Sequence, residues 1–154
     1  MKRIIDEIRT DKIRLYTVSD AYILRCSDQK KEINERLDRY LNASTYISIL
    51  LDTAKDLFSD KQITSGETWI SDGAWIWSAD LLHYYKHYNF QWPENMIHAI
   101  KDRDYFVPVL TDDQLLKLEC ITFDIKRSVF KESWHSSNEI VNQSPVLAYD
   151  IHNL

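Results

Sequence analysis

Glycine, proline and cysteine are scarce in this chain: two, three and two residues respectively among 154. A β-sandwich or barrel needs a tight turn at almost every strand end, so this scarcity favours helices with a small sheet. Cys26 and Cys120 lie far apart and in no metal-ligand spacing. They read as free thiols, not as a secreted disulfide scaffold. No apolar run has bilayer-spanning length, and Met1-Lys-Arg-Ile-Ile-Asp-Glu carries acids where a signal peptide has its apolar core. The expected compartment is the cytoplasm, with no membrane partner. There is no G-x-G-x-x-G, P-loop or C-x-x-C pattern, so no cofactor is expected.

Positive charge is also in deficit. Nineteen Lys and Arg stand against 24 Asp and Glu, a net charge of -5. Direct nucleic-acid contact usually needs a basic face, and the basic residues here are interleaved with acids. The balance suits a basic protein partner, or simply solubility.

Hydrophobic residues make up 44% and charged residues 28% of the chain, enough to bury a real core. The expectation is a single domain over residues 1–154, of α+β class. Four or five helices would pack on a small, mainly antiparallel sheet, with 131–144 as a polar, mobile segment. Residues 2–9 are short and amphipathic. Segments 13–18 and 21–26 look extended, and Ser19-Asp20 between them suggests a hairpin. A helix is predicted from a Ser27-Asp28 cap to Leu41, with Ile33, Leu37, Tyr40 and Leu41 as its buried stripe. A second is predicted from Ser44 or Thr45 to Phe58, although Tyr46 to Leu51 is rich in strand formers. Ser59 to Gly66 reads as a loop.

Four of the five Trp residues fall between Trp69 and Trp92. Thr68–Ser71 and Ala74–Trp77 are predicted strands, and Asp72-Gly73 suits a type I′ turn. Ser78 would cap the next helix, with Asp80 in its first turn and Leu81, Tyr85 and Tyr88 facing the core, Leu82 and Tyr84 at the edges. Pro93 suits the first position of a further helix, buried through Met96, Ile97 and Ile100. Thr111-Asp-Asp-Gln114 is a capping-box pattern. Cys120 to Val129 fits either a strand or a helix. Pro145 to Tyr149 reads as a final short strand.

The most catalytic-looking group is Asp80, His83 and His87, which share one helix side at i, i+3 and i+7. Histidines at i and i+4 can bind one metal ion, and a small metal-dependent hydrolase is one alternative reading. However, Tyr84, Tyr85 and Lys86 occupy the positions where zinc-hydrolase helices carry their glutamate base. A polar outer helix face explains the same residues. His98, and His135 beside Ser136 and Ser137, show no nucleophile geometry. A nucleic-acid-associated regulator is a further alternative, weakened by the charge. The tryptophans are either core or, if exposed, a binding patch.

The segment Glu67-Thr-Trp-Ile-Ser-Asp-Gly-Ala-Trp-Ile-Trp-Ser-Ala-Asp-Leu, followed by Tyr84-Tyr85 and Trp92-Pro-Glu94, resembles bacterial immunity proteins of polymorphic-toxin and contact-dependent growth-inhibition systems. It covers under a third of the chain, and Ser78 stands where relatives are expected to carry Pro. The resemblance implies a cytoplasmic antidote, an inhibitor that is not an enzyme and binds one cognate toxin domain. Many such toxins are basic nucleases, which fits the acidic balance. It supplies no catalytic residue. The expected partner contacts are Glu67, Trp69, Asp72 and Asp80, with His83 and His87 on the same outer side.

Overall fold

The computed structural model describes residues 13–18, 20–26, 32–48, 53–64, 68–133 and 146–150. It is an α+β arrangement with helices on both faces of a mixed sheet. The sheet has five strands: β1 (Arg14–Val18), β2 (Thr45–Ser48), β5 (Trp69–Ser71), β6 (Trp75–Ser78) and β7 (Val146–Asp150), in the order β2-β5-β6-β1-β7. Only β1 and β6 run parallel; the other three pairings are antiparallel. The two remaining strands, β3 (Thr53–Lys55) and β4 (Gln62–Thr64), form a separate hairpin.

Five helices complete the described residues: α1 (Asp20–Arg25), α2 (Glu35–Ala43), α3 (Ala79–His87), α4 (Glu94–Asp102) and α5 (Asp112–Ser133). Alternation along β6 divides the core. Trp75 and Trp77 join Tyr16 and Ile70 under α2, α3 and α4, while Ile76 packs with Ile13, Leu15, Ile47 and Leu118 of α5 on the opposite face. Both tryptophans are buried, so the core reading of the hairpin is the correct one. Trp77 and Trp92 meet edge to face at 6.4 Å, a favoured aromatic arrangement.

Local chemistry sets most helix ends. Asn34 caps α2 by accepting hydrogen bonds from the Arg36 and Leu37 amides. Thr111 and Gln114 exchange side-chain bonds with each other's amides at 3.2 and 2.8 Å, completing the predicted capping box of α5. Pro93 stands one place earlier than predicted, at the N-cap of α4. The C-terminus of α4 closes in a Schellman arrangement, with Asp104 N–H on the Lys101 carbonyl and Tyr105 N–H on the Ile100 carbonyl. Asp104 and Tyr105 take φ of 52° and 55°, left-handed values usually left to glycine.

Several expectations are corrected. Segment 20–25 is helix α1, not a strand, because Tyr22, Ile23 and Cys26 turn to the core at helical spacing. Residues 45–48 and 53–55 are strands, not one helix to Phe58, because Thr45 and Tyr46 pair with Ser71 and Ile70. The expected Ser59–Gly66 loop contains β4. Helix α2 starts at Glu35, and the proposed Ser27-Asp28 cap lies outside the described residues. Residues 120–129 are helical, Lys131–Ser133 continue α5, and the final strand forms as β7. Residues 2–9 and 134–145 lie outside the described residues.

Candidate functional site

The β5–β6 connection brings Asp72 inward, not outward. Gly73 alone takes a positive φ there, at 89°, so the turn is not type I′, which needs two. Ser71 pairs with Ile76, which leaves four residues to close the hairpin. The Asp72 carboxylate closes it, accepting hydrogen bonds from the Ala74 and Trp75 amides at 2.9 and 2.8 Å. Its other oxygen accepts from the Tyr40 hydroxyl at 2.6 Å and pairs with Arg103 at 3.3 Å. Asp72 is 1% exposed, turned into the fold and not out from it. Burial, then the adjacent Asp72 charge, raises the Tyr40 phenol above its ordinary value.

The other predicted residues divide. Glu67 lies outside the described residues. Trp69 is half-buried against the α5 side of the sheet. Asp80 is half-buried and accepts a hydrogen bond from the Ser78 hydroxyl. Ser78 stands at the N-cap of α3 but its side chain caps no amide. Burial pushes the Asp80 carboxyl up, only partly countered by Ser78 and the Leu81 amide.

His83 and His87 come together on the outer side of α3, their ring centres 4.7 Å apart. They line an open groove of about 780 Å³ between α2 and α3. Glu35, Asp38 and Arg39 form its α2 wall, and Lys86 its α3 rim. His83 is held by a residue that the sequence reading missed. Its Nε2 lies 2.6 Å from the Asp56 carboxylate, which is 1% exposed and sits just after β3. Asp56 also accepts from the Phe58 amide at 2.7 Å and the Tyr88 hydroxyl at 2.9 Å. Burial alone would raise the Asp56 carboxyl. The His83, Phe58 and Tyr88 hydrogen bonds outweigh it and hold the group below its ordinary value.

The β3–β4 hairpin is thus fastened to α3. The Leu57 amide donates to the Tyr84 hydroxyl at 3.1 Å, and Phe58 stacks on Tyr88 at 4.3 Å. No signal in the sequence links Asp56 to His83, because the segment carrying Asp56 has helix-like apolar spacing.

Asp80, His83 and His87 do not converge on one point. Among the described residues, no three His, Cys, Asp or Glu side chains stand close enough to share a metal ion. Nor is any helix among them long and apolar enough to cross a membrane. Comparison with protein-family models, with curated proteins and with solved structures finds no match.

Proposed function

We propose that this chain is an immunity protein, which neutralises a cognate toxin domain by forming a stoichiometric complex with it. The α2–α3 groove is the receiving surface for a projecting element of the toxin. The observation that carries this reading is the groove itself. It sets Glu35, Asp38, Arg39 and Lys86 beside the His83–His87 pair, in an open concavity of about 780 Å³. Charged walls of both signs select a partner by charge complementarity more than by apolar area. The net charge of -5 favours encounter with a basic toxin.

The resemblance of residues 67–100 to immunity proteins supports the same class. Those residues supply the scaffold: the buried hairpin and α3 carry the groove's histidines on their outer side. Identifying the neighbouring gene and, if it encodes a toxin domain, co-expressing that domain with this chain tests the proposal. Growth is expected to be restored, and Glu35→Lys with Asp38→Lys is expected to lose protection while the protein stays folded. Absence of protection by the wild-type chain would sink the reading.

A further inference from the structure

A second surface adjoins the groove. Arg39 and Ala43, which line the groove, also line a hollow of about 280 Å³ on the other flank of α2, together with Asp104, Tyr105 and Val107. The two hollows share one helix, so they form a continuous face that leads from α3 over α2 to the α4–α5 connection.

That connection and the start of α5 display apolar side chains. Val109 is 86% exposed and Leu116 is 61% exposed, the two highest values for large hydrophobic residues in the described structure. Phe106 is exposed as well. This display is built, not slack. Pro108 is buried and Leu110 packs on the α5 side of the core, so the residue between them is turned outward. The left-handed pair at Asp104 and Tyr105 sets the direction of the segment. It is fixed from several sides. Arg36 pairs with Asp104 at 2.9 Å and lies over the Tyr105 ring at 4.5 Å, and Asn34 donates to the Tyr105 hydroxyl at 3.1 Å.

The surround is acidic. Asp112, Asp113 and Glu119 are exposed, and helical geometry places them four before, three before and three after Leu116, on the same face. Asp102 is exposed at the other end of the connection. Arg36 and Arg103 are committed to Asp104 and Asp72. Lys101 and Lys117 are the exposed cations within residues 101–119. Exposed apolar residues inside an acidic rim match a cationic protein surface with its own apolar centre.

We infer that the partner's footprint continues from the groove across α2 onto the α4–α5 connection and the start of α5, where Val109 and Leu116 dock against a cationic protein surface. The inference rests on the neutralisation reading and names the second contact face of the same toxin.

The test uses the full chain and a toxin domain identified from the neighbouring gene, with binding kinetics followed at low and moderate salt. Val109→Lys is expected to weaken binding at least tenfold with an unchanged unfolding temperature. Asp112→Asn with Asp113→Asn is expected to slow association and flatten its salt dependence. If Val109→Lys and Leu116→Lys bind like wild type while Glu35→Lys does not, the footprint stops at the groove. The inference then fails and the neutralisation reading survives. If the wild-type chain does not bind the toxin, both fail. If the chain alone is a dimer that Val109→Lys dissociates, a second copy covers this face and the inference is overturned.

Discussion

At the residue scale, two buried carboxylates, Asp72 and Asp56, each bridge segments far apart in sequence. Asp72 ties the hairpin turn to Tyr40 on α2 and Arg103 after α4. Removing the Asp72 carboxylate would leave the buried Tyr40 hydroxyl and the Ala74 and Trp75 amides without their acceptor, and the part-buried Arg103 without its partner. Asp72→Ala should therefore destabilise the fold by roughly 3–5 kcal/mol in denaturant titration. A loss smaller than that of an ordinary surface substitution would contradict the role assigned to it. Asp80 is the counterexample. Its folded-state pKa is raised, mainly by burial, so its contribution is full below its unfolded value and is lost as pH rises through the folded one. Asp80→Asn is expected to be neutral or stabilising at pH 7, with the advantage vanishing in acid. A clear destabilisation at pH 7 would overturn this.

At the scale of elements, the β3–β4 hairpin depends on Asp56. The sign here is opposite. The Asp56 pKa is held down, so its stabilisation is present above its unfolded value, about 3.9, and is lost as pH falls through the folded value. Amide exchange in residues 53–64 should rise below about pH 4, ahead of exchange in β5 and β6. Asp56→Asn should raise it already at neutral pH. Exchange that stays uniform across hairpin and sheet would show that Asp56 is not the fastening.

The same element shows what the sequence could and could not reveal. Helices α2, α3 and α4 and the β5–β6 hairpin were legible because their signals are local. Leu37, Tyr40 and Leu41 recur at helical spacing, Gly73 supplies the turn, and Thr111 with Gln114 announces α5. Segment 44–58 misled because Ile47, Ala54 and Phe58 also suit a helix. Its strands are decided by pairing with β5, about 25 residues away, and by β4. Of the candidate site, His83 and His87 were visible as neighbours on one helix. Their partner Asp56 was not, since it lies 27 residues earlier on the misread segment. Asp72 was visible but its direction was not, because turn chemistry drew it inward.

On the scale of the whole molecule, the tryptophan-rich hairpin is the centre of the fold, with helices over both faces of its sheet. The surfaces proposed for a partner lie outside it, on α2, α3, the α4–α5 connection and the start of α5. The central proposal is neutralisation by one-to-one binding, and it is tested most directly by titrating the chain into a fixed amount of a toxin domain identified from the neighbouring gene while following toxin activity. The account predicts a linear fall to zero at one equivalent, weakened by added salt. Complete loss of toxin activity at far less than one equivalent would reveal turnover, and activity that persists in excess chain would show no neutralisation; either result would contradict the account.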